Sequence, residues 1–189
     1  MNKIKNIGGI GSILVLTGII PYIGPVLSFA GIVMVIVAVY KLGRLVGKKD
    51  IFRNYLIAII VQFAALVIFL AGAFGGLIAG GLQDLQDPSD IFGFMGIGLI
   101  VAWILLIVSA YFIKKSFTAI TSATGINAFK TAGTLYFVGN ILIIAFGLGA
   151  IASLVGAIFQ IVAFFSLPTA LSSGKAQAPT APSEPSPEA

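Results

Sequence analysis

From Asn6 to Tyr40 the chain carries no charged side chain, and the only interruption of this apolar run is Pro21-Tyr22-Ile23-Gly24-Pro25. As one helix the run would rise about 52 Å at roughly 1.5 Å per residue, against a hydrocarbon core of about 30 Å. Two crossings fit where one does not. Proline lacks the N–H that a helix interior needs and glycine accepts the angles of a tight reversal, so the pattern predicts a helical hairpin, 4–20 out and 26–42 back. Thr131 to Leu167 is a second uncharged run, too long for one crossing, with Gly147 and Gly149 at its break. It predicts spans at 131–147 and 150–167. Between the two runs lie apolar stretches of bilayer length at 54–81 and 91–113. The predicted fold is therefore all-α, an integral membrane helical bundle of six transmembrane helices arranged as three hairpins and occupying residues 1–171. Residues 172–189 are mostly Ala, Pro, Ser and Glu. They bury too little apolar area to offset the entropy of ordering, so a disordered tail is expected there.

The polar positions fall between the spans. Lys41 to Arg53 holds Lys41, Arg44, Lys48, Lys49 and Arg53 against Asp50 alone. Gly47 is placed to end one helix and Asp50 to cap the next. After 91–113 come Lys114 and Lys115, and the helix is expected to continue along the membrane surface through Phe117 and Ile120 to a stop at Gly125, with Asn127 capping the fifth span. Six spans put all eleven Lys and Arg on one side of the membrane. A basic excess marks the cytoplasmic side, so both termini are expected there. Tyr40, Tyr55 and Tyr111 then fall at the inner boundary and Tyr22 at the outer, as aromatic belts require. Trp103 lies mid-span, where its indole N–H needs an acceptor on a neighbouring helix. Lys3 and Lys5 before an apolar run, with Ser28-Phe29-Ala30 beyond it, have the outline of a secretory signal. Cleavage there would leave Gly31 to Tyr40 as a remnant too short to span, so a retained first hairpin is expected.

Composition narrows the chemistry. Of the 189 residues, 59% are hydrophobic and 9% charged, and the mean hydropathy is +1.12; a soluble domain would have too little polar surface. Cysteine is absent, which removes disulfides, thiolate metal sites and cysteine nucleophiles. Histidine is absent too, and with it the commonest metal ligand and general base. The net charge of +5 resides in short loops, where it suits anionic lipid headgroups rather than nucleic acid.

The two uncharged runs are related. At one constant offset Lys5 pairs with Lys130, Gly8 with Gly133, Gly24 with Gly149, Ser28 with Ser153 and Gly31 with Gly156. Both runs start and end on the same side, so they are expected to be parallel repeats about a pseudo-two-fold axis along the membrane normal.

Several stretches carry a resemblance: GGIGSILVLTGIIPYIGPVLSFAGIVMVIVAV, the following KKDIFRNYL, the segment from VSAYFIKKSF to TGINAFKTAGTLYFVG, and the closing IVAFFSLP. From roughly Lys3 to Pro168 the chain resembles a family of prokaryotic membrane proteins catalogued as domain of unknown function 996. The resemblance implies a membrane fold and location, and no activity or site residues. Some members append a cysteine-rich zinc ribbon, a feature this chain lacks, so no metal role carries over.

Three groups of residues invite a chemical reading. Asp84, Asp87 and Asp90 offer hard oxygen ligands to a divalent cation, but Pro88 breaks the helix that would align them, and a solvated acidic outer loop is the simpler account. Gln62, Asn140 and Gln160 are the amides expected within the membrane, where they either line a polar path or bridge helices. Gly72, Gly76 and Gly80 share one helix face and permit close packing. No Asp, Glu, Lys, Arg or His falls inside a span, which argues against ion-coupled transport by a monomer. No catalytic, cofactor-binding or metal-ligating residue is assigned. The expectation is a non-enzymatic structural or regulatory membrane component in contact with membrane lipids. The alternatives are a passive pore or carrier formed as a homo-oligomer and, more remotely, a lipid-processing enzyme.

Overall fold

The computed structural model describes residues 2–82, 88–143 and 148–168, with side chains at 19, 76–82 and 88–95 left aside. Six α-helices follow one another: α1 (Asn2–Leu16), α2 (Gly24–Leu45), α3 (Lys49–Leu82), α4 (Pro88–Thr124), α5 (Asn127–Leu142) and α6 (Leu148–Phe165). No strand occurs among the described residues. Among the described residues four helical segments are long and apolar enough to cross a bilayer: Gly24–Leu45, Lys49–Gly75, Gly96–Thr124 and Leu148–Phe165. The other two helices are shorter, at 15 residues for α1 and 16 for α5. A 3-10 turn, Thr17–Ile19, lengthens α1 before the reversal at Pro21–Ile23.

Each helix packs against its neighbours in the chain, and α6 returns to α1, so the helices form a closed ring. Adjacent helices run antiparallel. Small residues set the spacing: Gly11 meets Gly31, Gly72 meets Gly98, and Gly139 meets Gly149 and Ser153. At such positions backbones approach closely and gain dispersion contacts that lipid tails cannot supply. Hydroxyls reinforce the α3–α4 pair, with Ser109 donating to the Ala58 carbonyl at 2.9 Å and Ser116 to the Ile51 carbonyl at 2.8 Å. Of the glycine face on α3, Gly72 is the member whose contacts are described; Gly76 and Gly80 lie outside the described side-chain positions.

The repeat-matched residues occupy like places. Gly24, Ser28 and Gly31 of α2 face α1, and Gly149, Ser153 and Gly156 of α6 face α5. The register differs by a turn: Ser28 lies against Gly18, whereas Ser153 lies against Gly139, the residue aligned with Leu14. The expected two-fold does not follow, because it would turn the α1–α6 contact into an equal contact of α5 with α2, and no comparable contact exists. Instead the two hairpins are consecutive members of the ring. Gly8 of α1 packs under Phe164 of α6, and its counterpart Gly133 of α5 packs against Lys114 and Phe117 of α4, so each leading helix meets the last helix of the preceding hairpin.

Three local expectations are corrected. The segment after Lys115 is not a surface helix: α4 continues unbroken to Thr124, and Phe117 and Ile120 are wholly buried against α3 and α5. Periodicity alone could not reveal that the start of α3 covers this face. Asp50 does not cap α3 but sits in its first turn, 2.8 Å from Arg53 in an exposed ion pair. Asn127 is the first residue of α5, and the cap position belongs to Ile126. The two glycine stops hold. Gly47 adopts φ +69°, with Lys48 N–H donating to the Gly43 carbonyl and Gly47 N–H to that of Arg44, the paired bonds of a Schellman motif. Gly125 adopts φ +74° after α4.

The most buried core gathers at the end of the ring that carries the basic residues. Tyr55 stacks on Phe117 at 6.2 Å, Phe117 meets Phe129 edge-on at 5.6 Å, and Phe129 meets Phe164 at 5.1 Å. Leu42, Ile51, Ile120 and Leu167 complete the plug.

Candidate functional site

Beyond this plug, away from the basic end, the ring encloses space. A chamber of about 130 Å³ is lined by Val15 of α1, Ile32 of α2, Tyr55, Ile59 and Gln62 of α3, Leu106, Ser109 and Ile113 of α4, Tyr136 and Asn140 of α5, and Gln160 of α6. All six helices contribute. Against it lies an apolar groove of about 650 Å³, walled by Phe63, Leu66 and Phe69 of α3 and by Leu99, Trp103 and Leu106 of α4. Ile32, Ile59, Gln62 and Leu106 line both spaces, so the two lie side by side. Phe63, Leu66, Phe69 and Leu99 are exposed, which opens the groove to the side of the bundle.

The three amides marked by the sequence all reach the chamber, but they do different work. Gln160, only 6% exposed, accepts from the Tyr136 hydroxyl at 2.9 Å and donates to the Ser12 hydroxyl at 2.9 Å. Ser12 in turn donates to the Gly8 carbonyl at 2.8 Å, so one side chain links α5, α6 and α1. Asn140 bonds within its own helix, its amide donating to the Tyr136 carbonyl at 2.8 Å. Gln62 has no hydrogen-bond partner among the described residues and stands where groove and chamber meet.

Trp103 finds the acceptor its position demands, donating from Nε1 to the Asn140 carbonyl at 2.8 Å. That carbonyl lies in the last turn of α5, where intrahelical donors run out, so the indole serves as a side-chain cap from α4. It also holds the indole face along the groove.

Tyr55 differs most from its sequence reading. It does not face outward as a belt residue would but is 6% exposed, stacked on Phe117 and lining the chamber. Its hydroxyl has no partner among the described residues, yet no fully enclosed side-chain polar atom there lacks one. The hydroxyl therefore keeps some accessible surface, on a side chain that lines the chamber. Tyr55, Ile59 and Gln62 follow at i, i+4 and i+7, the spacing of one helix face, and that pattern is the signal that could have grouped them from sequence. Ser12, Ser109 and Tyr136 gave no comparable signal, because their partners lie on other helices.

Among the described residues neither space is lined by a charged side chain. No group of acidic or metal-ligating residues with the makings of an ion site occurs there either. The acidic loop falls outside that set: Asp84 and Asp87 are not described, nor is the side chain of Asp90.

Apolar helices of bilayer length, closed into a ring around an uncharged chamber with a lateral groove, define a helical multi-pass membrane protein. Residues 27–158 match the family model described as protein of unknown function (DUF996), and the chain belongs to that family. It is also similar to an uncharacterised protein of the archaeon Methanocaldococcus jannaschii, 31% identical over 174 residues that cover 92% of this chain and 96% of the relative. No solved structure matches the chain.

Proposed function

We propose that the protein is a non-enzymatic membrane component that takes an apolar, membrane-dissolved molecule into its lateral groove. The observation that carries this reading is the groove itself: about 650 Å³ of aliphatic and aromatic wall, open at the side and adjoining a polar chamber. Its size falls within the range of ligand pockets, roughly 300–1,000 Å³, and its opening faces the lipid from which such a molecule would enter. In this reading the chain spans the membrane six times, with the basic end of the ring and both termini cytoplasmic and the lysines and arginines against anionic headgroups. The first and last hairpins are then repeats, successive in the ring. A passive pore through one chain is disfavoured by the Tyr55–Phe117–Phe129–Phe164 stack between the chamber and the basic end.

Mass spectrometry of the purified full-length protein tests the reading. An apolar membrane molecule should copurify in near-stoichiometric amount and be lost from Ala102→Leu, which narrows the groove floor. Bulk lipid in bulk proportions, equal in both proteins, would overturn it.

A further inference from the structure

We propose that chamber and groove together bind a neutral lipid whose head carries two carbonyl oxygens, received by Tyr55 and Gln62, while its tail occupies the groove. This rests on the groove reading above and adds the chemistry of the head. The chamber's other polar side chains each donate within the protein: the Tyr136 hydroxyl to Gln160, the Ser109 hydroxyl to the Ala58 carbonyl, the Asn140 amide to the Tyr136 carbonyl and the Gln160 amide to Ser12. The Tyr55 hydroxyl and the Gln62 amide do not. Both supply donors with no acceptor among the described residues; Tyr55 is buried, whereas Gln62 is exposed where the two spaces meet. A buried donor without a partner costs about 1–3 kcal/mol, so the hydroxyl of a side chain only 6% exposed, with no partner among the described residues, is matched to something that enters.

Geometry specifies the number of oxygens and charge specifies their kind. Tyr55 and Gln62 are two turns apart on one face of α3, a rise of roughly 10 Å, which one oxygen cannot bridge but two on a single head can. A phosphate or carboxylate head is excluded by the lining, because a charge brought into a space with no counter-ion loses several kcal/mol of hydration. The lysines and arginines that would pair with it stand at the far side of the aromatic plug. Two lipid classes share the required chemistry, a quinone on an alkyl tail and a diacylglycerol.

Trp103 is the chain's one tryptophan and lines the groove, so its emission reads occupancy directly. Purified full-length protein in detergent is titrated with decylubiquinone, with dioleoylglycerol and with dioleoylphosphatidic acid. A saturable change is expected with one of the two neutral probes, and which one responds separates a quinone from a glyceride source. Phosphatidic acid should give none. Tyr55→Phe and Gln62→Leu remove groups that have no partner among the described residues, so both should fold with unchanged thermal stability and bind at least tenfold more weakly. If both variants bind as the wild type does, the head is not held by Tyr55 and Gln62, and if phosphatidic acid binds as tightly as the neutral probes, the site does not select a neutral head; either result overturns the proposal. Should Ala102→Leu abolish binding while Tyr55→Phe and Gln62→Leu do not, the groove reading stands and the assignment of the head falls. Should neither neutral probe saturate, the proposal is overturned.

Discussion

The side-chain amide of Gln160 donates to the Ser12 hydroxyl at 2.9 Å, joining the last helix to the first across 148 positions of chain. The same amide accepts from Tyr136, so three helices meet at one residue. Gln160→Leu should therefore destabilise the bundle by about 1–2 kcal/mol, since such bonds in membranes are worth ~0.6 on average and up to ~1.7 and two are lost together. A double-mutant cycle with Ser12→Ala, read by unfolding in mixed micelles, should give a coupling near the lower figure. Additive effects would show that the α1–α6 seam rests on packing alone.

Gly149 and Gly96 should respond oppositely to alanine. A methyl group at Gly149 would run into the Gly139 carbonyl and the Ile143 backbone, neither of which can rotate away, whereas at Gly96 nothing among the described residues lies within 4 Å. Gly149→Ala is expected to lose about 1–3 kcal/mol as overpacking does. Gly96→Ala should be neutral or stabilise by up to ~1 kcal/mol through helix propensity. Leucine in place of the lipid-facing Ile151, 62% exposed, serves as the control and should leave thermal unfolding unchanged.

Trp103→Phe keeps the ring against the groove but removes the donor to the Asn140 carbonyl. Because that carbonyl lies where α5 has run out of its own donors, the loss is expected to cost about 1 kcal/mol and to speed amide exchange in the last turn of α5 before any other helix responds. Uniform exchange across the bundle would rule out a local capping role.

Tyr22 holds φ +68° in the exposed turn between α1 and α2, a conformation that costs a bulky L-residue about 1–2 kcal/mol. Tyr22→Asn should relieve part of that strain and raise the thermal midpoint. A lower midpoint would mean that the ring contributes more by anchoring at the membrane boundary than its backbone costs.

Since the chain has no cysteine, single cysteines can report topology. Ile23→Cys, in the turn after α1, should react with an impermeant thiol reagent from outside. Ser122→Cys, at the basic end beside Lys48, should react only after the membrane is opened. Labelling of Ser122→Cys in sealed, right-side-out vesicles would reverse the proposed orientation.

Much of this architecture was legible in the amino-acid order, because the bilayer imposes length and polarity rules on every helix separately. Pro21 and Gly24 marked the first reversal, and Gly47 and Gly125 marked helix ends that the backbone angles bear out. Trp103 announced an indole in need of an acceptor, and one exists at Asn140. These are local consequences, readable from one segment at a time. Which helix lies beside which is not local, and there the tertiary structure decided. Phe117 and Ile120, beyond the last lysines of α4, read as a surface stretch until the first turns of α3 are seen to cover them. Repeat matching suggested two hairpins exchanged by a two-fold, and packing made them consecutive in a ring, since small residues fit more than one partner and only the assembled set selects among them. The division among the three amides arose in the same way: Gln160 was satisfied by Ser12 and Tyr136 from distant parts of the chain, whereas Gln62, on the same type of apolar helix, was left facing an open space because no donor or acceptor came opposite it.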